Sequence, residues 1–94
     1  MTIQETTYTS NNTLAIEIID NNEPYAVLTV NLPQYNFKDS RVQFVDTNNF
    51  PNAEEFIKKN NLGEPLGFYG QSGFCTYPLY YFYPNINGKE VTLC

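Results

Sequence analysis

The residue types that most often perform chemistry in proteins are scarce in this chain of 94 residues. It contains no histidine, which is the usual acid or base near neutral pH and the commonest metal ligand. Cys75, Cys94 and the serines therefore lack the base that usually activates such nucleophiles. Two cysteines also cannot form a structural zinc site on their own. We expect no catalytic residue, no metal site and no cofactor, and hence a protein that is not an enzyme.

The carboxylates offer two further candidates, and neither is a complete motif. Glu54 and Glu55 are neighbours on a predicted helix and point in different directions, so they do not form a general acid–base pair. The stretch Asp46-Thr-Asn-Asn has oxygens that a hard cation could use, but it lacks the additional carboxylates and the glycine of a calcium loop. We expect Asp46, Asn48 and Asn49 to bind backbone N–H groups before the helix instead.

The stretch Gly-Phe-Tyr-Gly-Gln-Ser-Gly at positions 67–73 shares only its glycines with a phosphate-binding loop. It lacks the final lysine and serine or threonine that contact phosphate and magnesium, and no helix is predicted to follow it. We interpret it as a turn region in which Gly70 and Gly73 adopt positive φ.

The charge pattern argues against direct nucleic-acid binding. The net charge is −5, and Lys58 and Lys59 are the only adjacent basic residues. A protein that binds the phosphate backbone needs several clustered cations. The acidic residues are also too dispersed to imitate a duplex, which carries one charge per ~1.7 Å.

The cysteines and the apolar pattern predict a cytoplasmic location and no membrane attachment. No apolar run approaches the roughly 20 residues of a membrane helix, and the first residues do not resemble a signal peptide. Thiols stay reduced in the cytoplasm. We therefore expect Cys75 to be a small apolar strand residue and Cys94 to be free, although a disulfide between them would contribute about 3 kcal/mol.

Alternating apolar residues predict strands over 13–19, 25–32, 41–46 and 74–83, and a weaker one over 3–9. Pairs of asparagines between these segments indicate turns. One helix of about ten residues follows Asn52, with Glu55 completing a capping box and Gly63 ending it in the left-handed conformation. Residues 90–93 could add a short final strand. The prediction is an α+β fold in one domain, 1–94: a single antiparallel sheet of four or five strands in the order β-β-β-α-β, with the helix packed on one face.

The apolar faces of these elements predict one shared core. The inward faces of three strands and the apolar stripe of the helix must occupy the same space. We therefore expect Ile16, Leu28, Phe44 and Phe56 to lie together.

The most unusual feature is the aromatic density between positions 68 and 83, which hold eight of the fifteen aromatic residues. Alternation places Tyr77 and Tyr81 on one face of the predicted strand and Tyr80 on the other. Two explanations remain open: a core with some exposed tyrosines, or a strand that covers the core with one face and a partner with the other. Tyrosine suits interfaces. The candidate interaction surface consists of Phe68, Tyr69, Tyr77, Tyr80, Tyr81 and Tyr83, and its occupant would be a protein partner or a second copy in a homodimer.

Three stretches of sequence resemble a known family. They are Asp-Thr-Asn-Asn-Phe-Pro-Asn-Ala-Glu-Glu-Phe-Ile from position 46, Leu-Gly-Glu-Pro-Leu-Gly from 62, and Gln-Ser-Gly-Phe-Cys-Thr-Tyr-Pro-Leu-Tyr from 71. The chain is similar, over about positions 25–83, to short uncharacterised proteins with a domain of unknown function from low-GC Gram-positive bacteria and their plasmids and phages. The resemblance implies a cytosolic accessory role and assigns no catalytic residue.

The leading functional hypothesis is a small accessory domain that binds protein and is not an enzyme. The first alternative is a mobile-element inhibitor of a host defence nuclease, of the anti-CRISPR or anti-restriction type, which would block its target sterically or by charge. A contiguous patch of Asp20, Glu23, Asp39 and other carboxylates would favour imitation of nucleic acid. The second is an enzyme with carboxylate or tyrosine chemistry, which would need a cleft with buried carboxylates.

Overall fold

The computed structural model describes residues 1–93, which form two antiparallel sheets and one short helix. The first sheet contains β1 (Thr2–Thr7), β2 (Leu14–Asp20) and β3 (Glu23–Val27), in that spatial order. The second contains β4 (Thr29–Val30), β5 (Val42–Val45), β6 (Gly63–Ser72) and β7 (Cys75–Phe82), in the spatial order β4-β5-β7-β6. The helix α1 (Ala53–Lys59) lies between β5 and β6 in the sequence.

The α+β prediction agrees with the structure in broad terms, but the single sheet and the order β-β-β-α-β are wrong. The predicted strand over 25–32 is divided at Leu28 into β3 and β4, which belong to different sheets. The Leu28 N–H donates to the Ile16 carbonyl at 2.8 Å, and the Leu28 carbonyl accepts from the Asp46 N–H at 2.9 Å. One residue thus joins both sheets, and alternation alone does not reveal such a switch.

The asparagine turns are confirmed. Asn21 and Asn22 have φ of 53° and 66° and join β2 to β3 in the two-residue hairpin geometry that requires positive φ at both positions. Asn12, in the connection from β1 to β2, also has positive φ, at 59°. Asparagine tolerates this region because its short polar side chain can bond the local backbone.

The helix ends earlier than predicted, and Gly63 does not end it. The helix has seven residues, and Asn52 precedes it without a side-chain capping bond, so the capping box is absent. Asn61, with φ of 55°, is the left-handed residue after the helix. Gly63 begins β6 and pairs with Phe82, where an added Cβ would collide with the backbone oxygen of Tyr81. Glycine is therefore needed there for close strand approach and not for positive φ.

The apolar side chains form two cores instead of one. Ile16, Leu28 and Phe56 lie together in the first core, between the two sheets and the helix. Phe44, expected to join them, lies in a second core on the other face of the second sheet. The cause is the 31–40 segment, whose Tyr35 ring packs 5.0 Å from that of Phe44. Because both faces are covered, all four residues of β5 are buried.

The termini of the described chain close one edge of the first sheet. The predicted strand over 90–93 is reduced to an isolated bridge between Thr2 and Glu90. The Ile3 N–H donates to the Lys89 carbonyl at 3.0 Å, and the Val91 N–H donates to the Met1 carbonyl at 2.9 Å. Cys75 is a half-buried free thiol at the start of β7, whereas the prediction for Cys94 lies outside the described residues. Within residues 1–93, no helix has the length and hydropathy needed to cross a bilayer.

Candidate interaction surface

The β6–β7 hairpin presents an aromatic side chain at its tip. Ser72 pairs with Cys75, so the loop has two residues, Gly73 and Phe74. Gly73 has the positive φ that was predicted, 61°, and this conformation at the first loop position is typical of a type II′ turn. The Phe74 side chain is fully exposed. The turn requires glycine at its first position, but its geometry does not require an aromatic residue at its second.

The six residues of the predicted surface do not form one exposed face. Phe68 and Tyr69 on β6 are exposed by 48% and 62%. Tyr81 and Tyr83 are half-buried. The other two, Tyr77 and Tyr80, are buried in the second and first cores, respectively. The predicted assignment of Tyr77 and Tyr80 to opposite faces of β7 therefore agrees with the structure, but both faces are covered by the protein itself.

A bulge in β6 explains the exposure of Phe68. Pairing of β6 with β7 shifts between Pro65 and Tyr69, so Leu66, Gly67 and Phe68 lie opposite one residue of β7. Gly67 has φ of 78°, which suits glycine. The two apolar side chains of the bulge, Leu66 and Phe68, are about half exposed. The glycines of this segment predict a turn, and the sequence pattern gives no sign that the segment is a bulged strand paired with β7.

Phe68 and Tyr69 point to opposite faces of β6. The Phe68 ring packs edge-on against Tyr35, with centroids 5.9 Å apart. Gly70, expected to have positive φ, is instead an extended strand residue, and a Cβ there would lie 2.5 Å from the Phe44 ring. Adjacent strand residues point to opposite faces, so Tyr69 lies on the face away from Phe44. Exposed aromatic side chains are therefore present on both faces of the hairpin and at its tip.

The outer edge of β6 is partly closed to strand pairing. The Gln71 N–H donates to the Tyr35 hydroxyl at 3.2 Å, and the Gln34 side-chain amide donates to the Gln71 carbonyl at 3.0 Å. Pro65 has no N–H to offer, and the bulge interrupts the strand. Proteins use these features to prevent edge-to-edge association. The side chains of the hairpin, and not its backbone edge, are therefore the accessible contact.

Pro78, a residue type usually confined to sheet edges and bulges because it has no N–H, lies opposite Tyr69 at the end of the β6 bulge. It is nevertheless in β7, an interior strand of the second sheet. Pairing of β5 with β7 ends at Phe44 and Leu79. The missing N–H of Pro78 therefore removes no hydrogen bond from that pairing.

The buried tyrosine nearest to a carboxylate is a structural donor. The Tyr80 hydroxyl donates to Glu54 Oε1 at 2.6 Å. Burial, followed by this hydrogen bond and the negative charge, raises the pKa of Tyr80 above its ordinary value of 10.0. The phenol is therefore neutral at physiological pH, where it joins β7 to α1.

Of the three residues that were predicted to bind backbone N–H groups before the helix, Asp46 does so. Asp46 Oδ1 accepts from the backbone N–H of Asn49 at 3.1 Å, and Oδ2 accepts from the Asn49 side-chain amide at 3.0 Å. Asn48 is exposed. In the described chain, no three cysteine or carboxylate side chains converge in a way that could ligate a metal.

A groove of about 750 Å³ lies between β3 and the start of α1, and the sequence pattern did not predict it. Its residues come from β3, the turn after β5, the helix and position 93: Tyr25, Ala26, Val27, Asp46, Asn49, Phe50, Pro51, Asn52, Glu55, Phe56, Lys59 and Leu93. The chain leaves the first sheet at Leu28, so β3 is an edge strand of that sheet, and the groove lies beside this edge.

The family model described as Domain of unknown function (DUF4313) matches residues 2–94. The chain belongs to the DUF4313 family. No match was found among curated proteins or among solved structures. The DUF4313 assignment covers nearly the whole chain and attaches no activity to any residue. The functional argument therefore depends on the geometry of the surface.

Proposed function

We propose that this DUF4313 domain is a protein-binding module, not an enzyme, and that the tip of its β6–β7 hairpin inserts into an apolar cleft of a partner protein. The observation that carries the proposal is the full exposure of Phe74 at the hairpin turn. The side chain contributes no packing to the domain. Its burial on binding would remove roughly 150–250 Å² from water, which gives a single residue a large share of the contact energy.

The composition of the hairpin defines the partner's chemistry. Glu64 is the only charged residue between positions 63 and 83, and Leu66, Phe68 and Tyr69 supply exposed apolar area beside the tip. Interface cores are depleted in charge and enriched in aromatics. The complementary surface is therefore apolar, with a cleft deep enough for a phenyl ring.

The carboxylates support this apolar contact over a mechanism based on charge. Glu5 pairs with Arg41, and Asp39 accepts from the Arg41 backbone N–H at 2.8 Å. Glu54 also accepts from the Tyr80 hydroxyl within the fold. These three carboxylates are less available for display to a partner that recognises negative charge.

The test compares Phe74→Ser and a Phe68→Ser/Phe74→Ser double variant with Thr76→Ala, a control at an exposed position on the same hairpin. Light scattering over a range of concentrations first shows whether the partner is a second copy. The tagged proteins are then used to capture partners from a lysate of a low-GC Gram-positive bacterium, the source that the sequence resemblance indicates. Tyr77 is unsuitable for this purpose, because its ring is buried and its replacement would test folding.

We expect the purified partner to bind the double variant at least about 30-fold more weakly than the parent, as for a hot-spot residue. The Thr76→Ala control should bind like the parent. Equal affinities for the parent and the double variant, both correctly folded by circular dichroism, would contradict the proposal. Capture of a nuclease subunit would narrow the role to inhibition of host defence.

A further inference from the structure

The β3 edge of the first sheet is open, unlike the opposite edge. The outer edge of β1 receives hydrogen bonds from the 88–91 segment, including one from the Gly88 N–H to the Ile3 carbonyl at 2.7 Å. For residues 23–27, by contrast, the described structure has no backbone hydrogen bond beyond the pairing with β2. Pro24 has no N–H to donate, so the stretch that is open to pairing consists of the last three residues of β3, 25–27.

The orientation of the backbone places a free donor and acceptor on this edge. The Leu28 N–H points toward β2, where it donates to Ile16. Successive N–H groups of a strand point in opposite directions, so the Val27 N–H and carbonyl point outward. The side chains beside them are accessible, since Tyr25 is exposed by 52% and Val27 by 45%.

The groove runs along this open edge. Its floor contains Phe50 and Phe56, whose rings pack with centroids 5.7 Å apart. Its volume of about 750 Å³ lies in the usual range for binding pockets, roughly 300–1,000 Å³. An open strand beside an apolar groove can accept an extended peptide, since the backbone supplies hydrogen bonds and the groove receives alternate side chains.

The charges around the groove select the class of peptide. Asp46 and Glu55 line the groove with one cation, Lys59. The surroundings are therefore acidic, and a second copy of this chain, with its own charge of −5, is a less favourable occupant than a cationic segment.

We propose that the groove beside β3 binds an extended segment of a partner protein in which apolar and basic residues alternate, and that this segment adds to β3 as a further strand. The apolar side chains contact Phe50 and Phe56, and the basic ones reach the carboxylates that line the same groove, Asp46 and Glu55. The site is separate from the β6–β7 hairpin, so each proposal can fail without the other.

The experiment is a titration of the isotopically labelled full chain with short capped peptides, followed by the amide signals in NMR spectra. The probe is a peptide in which lysine and valine alternate. Two matched peptides are controls: one with glutamate in place of lysine, and one with N-methyl groups on alternate residues, which cannot form strand hydrogen bonds. Glu55→Lys, at an exposed helix position, is the matched protein variant.

We expect saturable shifts of the amides of β3 and of residues 50–59 with the lysine peptide. Binding should be at least about tenfold weaker for the glutamate peptide, the N-methylated peptide and the Glu55→Lys protein. No saturable shift at a peptide concentration of about 1 mM, or shifts confined to the β6–β7 hairpin, would overturn the proposal. Equal binding of the N-methylated peptide would refute strand addition. Concentration-dependent shifts of β3 without peptide would identify a second copy as the occupant and refute the peptide assignment.

Discussion

Replacement of Arg41 should weaken the junction between the two sheets. The guanidinium donates to Glu5 through two hydrogen bonds, Nη1 to Oε1 at 2.6 Å and Nη2 to Oε2 at 3.0 Å. It also donates from Nε to the Phe82 carbonyl at 3.2 Å and from Nη2 to the Tyr83 carbonyl at 2.8 Å. Glu5 belongs to β1, and Phe82 ends β7. One side chain therefore links an edge strand of the first sheet to the centre of the second.

The expected loss lies between the values for surface and buried ion pairs. Exposed pairs contribute about 0.2–1 kcal/mol, whereas breaking a fully buried pair costs about 3–5 kcal/mol. The side chains of Arg41 and Glu5 are 21% and 19% exposed, so water can replace part of the lost bonding. We expect Arg41→Ala to lower the free energy of unfolding by about 2–4 kcal/mol. Arg41→Lys keeps the charge but loses the planar fork, and should lower it by about 1–2 kcal/mol.

Urea denaturation of Arg41→Ala, Glu5→Gln and the double variant gives the coupling free energy between the two side chains. We expect about 1–2 kcal/mol, because the pair is bidentate and mostly buried. Lys38→Ala, at an exposed position nearby, should change stability by less than about 0.5 kcal/mol. A coupling near zero, or a loss in Arg41→Ala no larger than in Lys38→Ala, would refute the bridging role.

Three further predictions concern backbone approach, core packing and pH. Gly63→Ala should lower the free energy of unfolding by about 2–3 kcal/mol, because its Cβ would strike the Tyr81 backbone. Gly67→Ala, at a position with open space and φ of 78°, should lower it by only about 1 kcal/mol. Equal losses for the two variants in urea denaturation would contradict the steric explanation. Phe56→Ala should cost about 3–5 kcal/mol, and an unchanged melting temperature would show that the helix does not depend on this ring. The unfolded chain ionises tyrosine at about pH 10, but burial and a neighbouring carboxylate raise the pKa of Tyr80 in the fold. Above about pH 10 the native state keeps a proton that the unfolded state has lost, so the stabilisation declines as pH rises, by at most about 1.4 kcal/mol per pH unit. The total loss is smaller where water screens the hydroxyl, because screening reduces the pKa shift. Tyr80→Phe should flatten this decline in urea titrations at stepped pH, and an unchanged slope would argue against the assignment.

The sequence predicted the candidate surface only in part. The aromatic density identified the β6–β7 region, and Phe68 and Tyr69 are exposed there. Alternation alone could not distinguish them from Tyr77 and Tyr80, because exposure depends on what covers each face of the sheet. Phe74 at the tip could have been recognised from the Ser-Gly-Phe-Cys turn, since glycine at the first loop position indicates a two-residue hairpin. The groove beside β3 had no sequence signal.

Local patterns determined what depends on near neighbours in the chain. Alternating apolar residues located β2, β5 and β7, and the asparagine pairs located the turns, because strand period and positive φ are properties of a few consecutive residues. The missing histidine and the scattered charges also argued against whole classes of chemistry without any structure.

Tertiary structure alone decided which segments meet. The division of the predicted strand at Leu28, the covering of Phe44 by Tyr35 and the closeness of Gly63 to Tyr81 each involve residues distant in the sequence. An alternating pattern states that a face is apolar, but not which of several apolar surfaces it will meet. That choice is made by the packing of the complete chain, since the same side chain can be buried by a sheet, a helix or a loop with a similar gain in free energy.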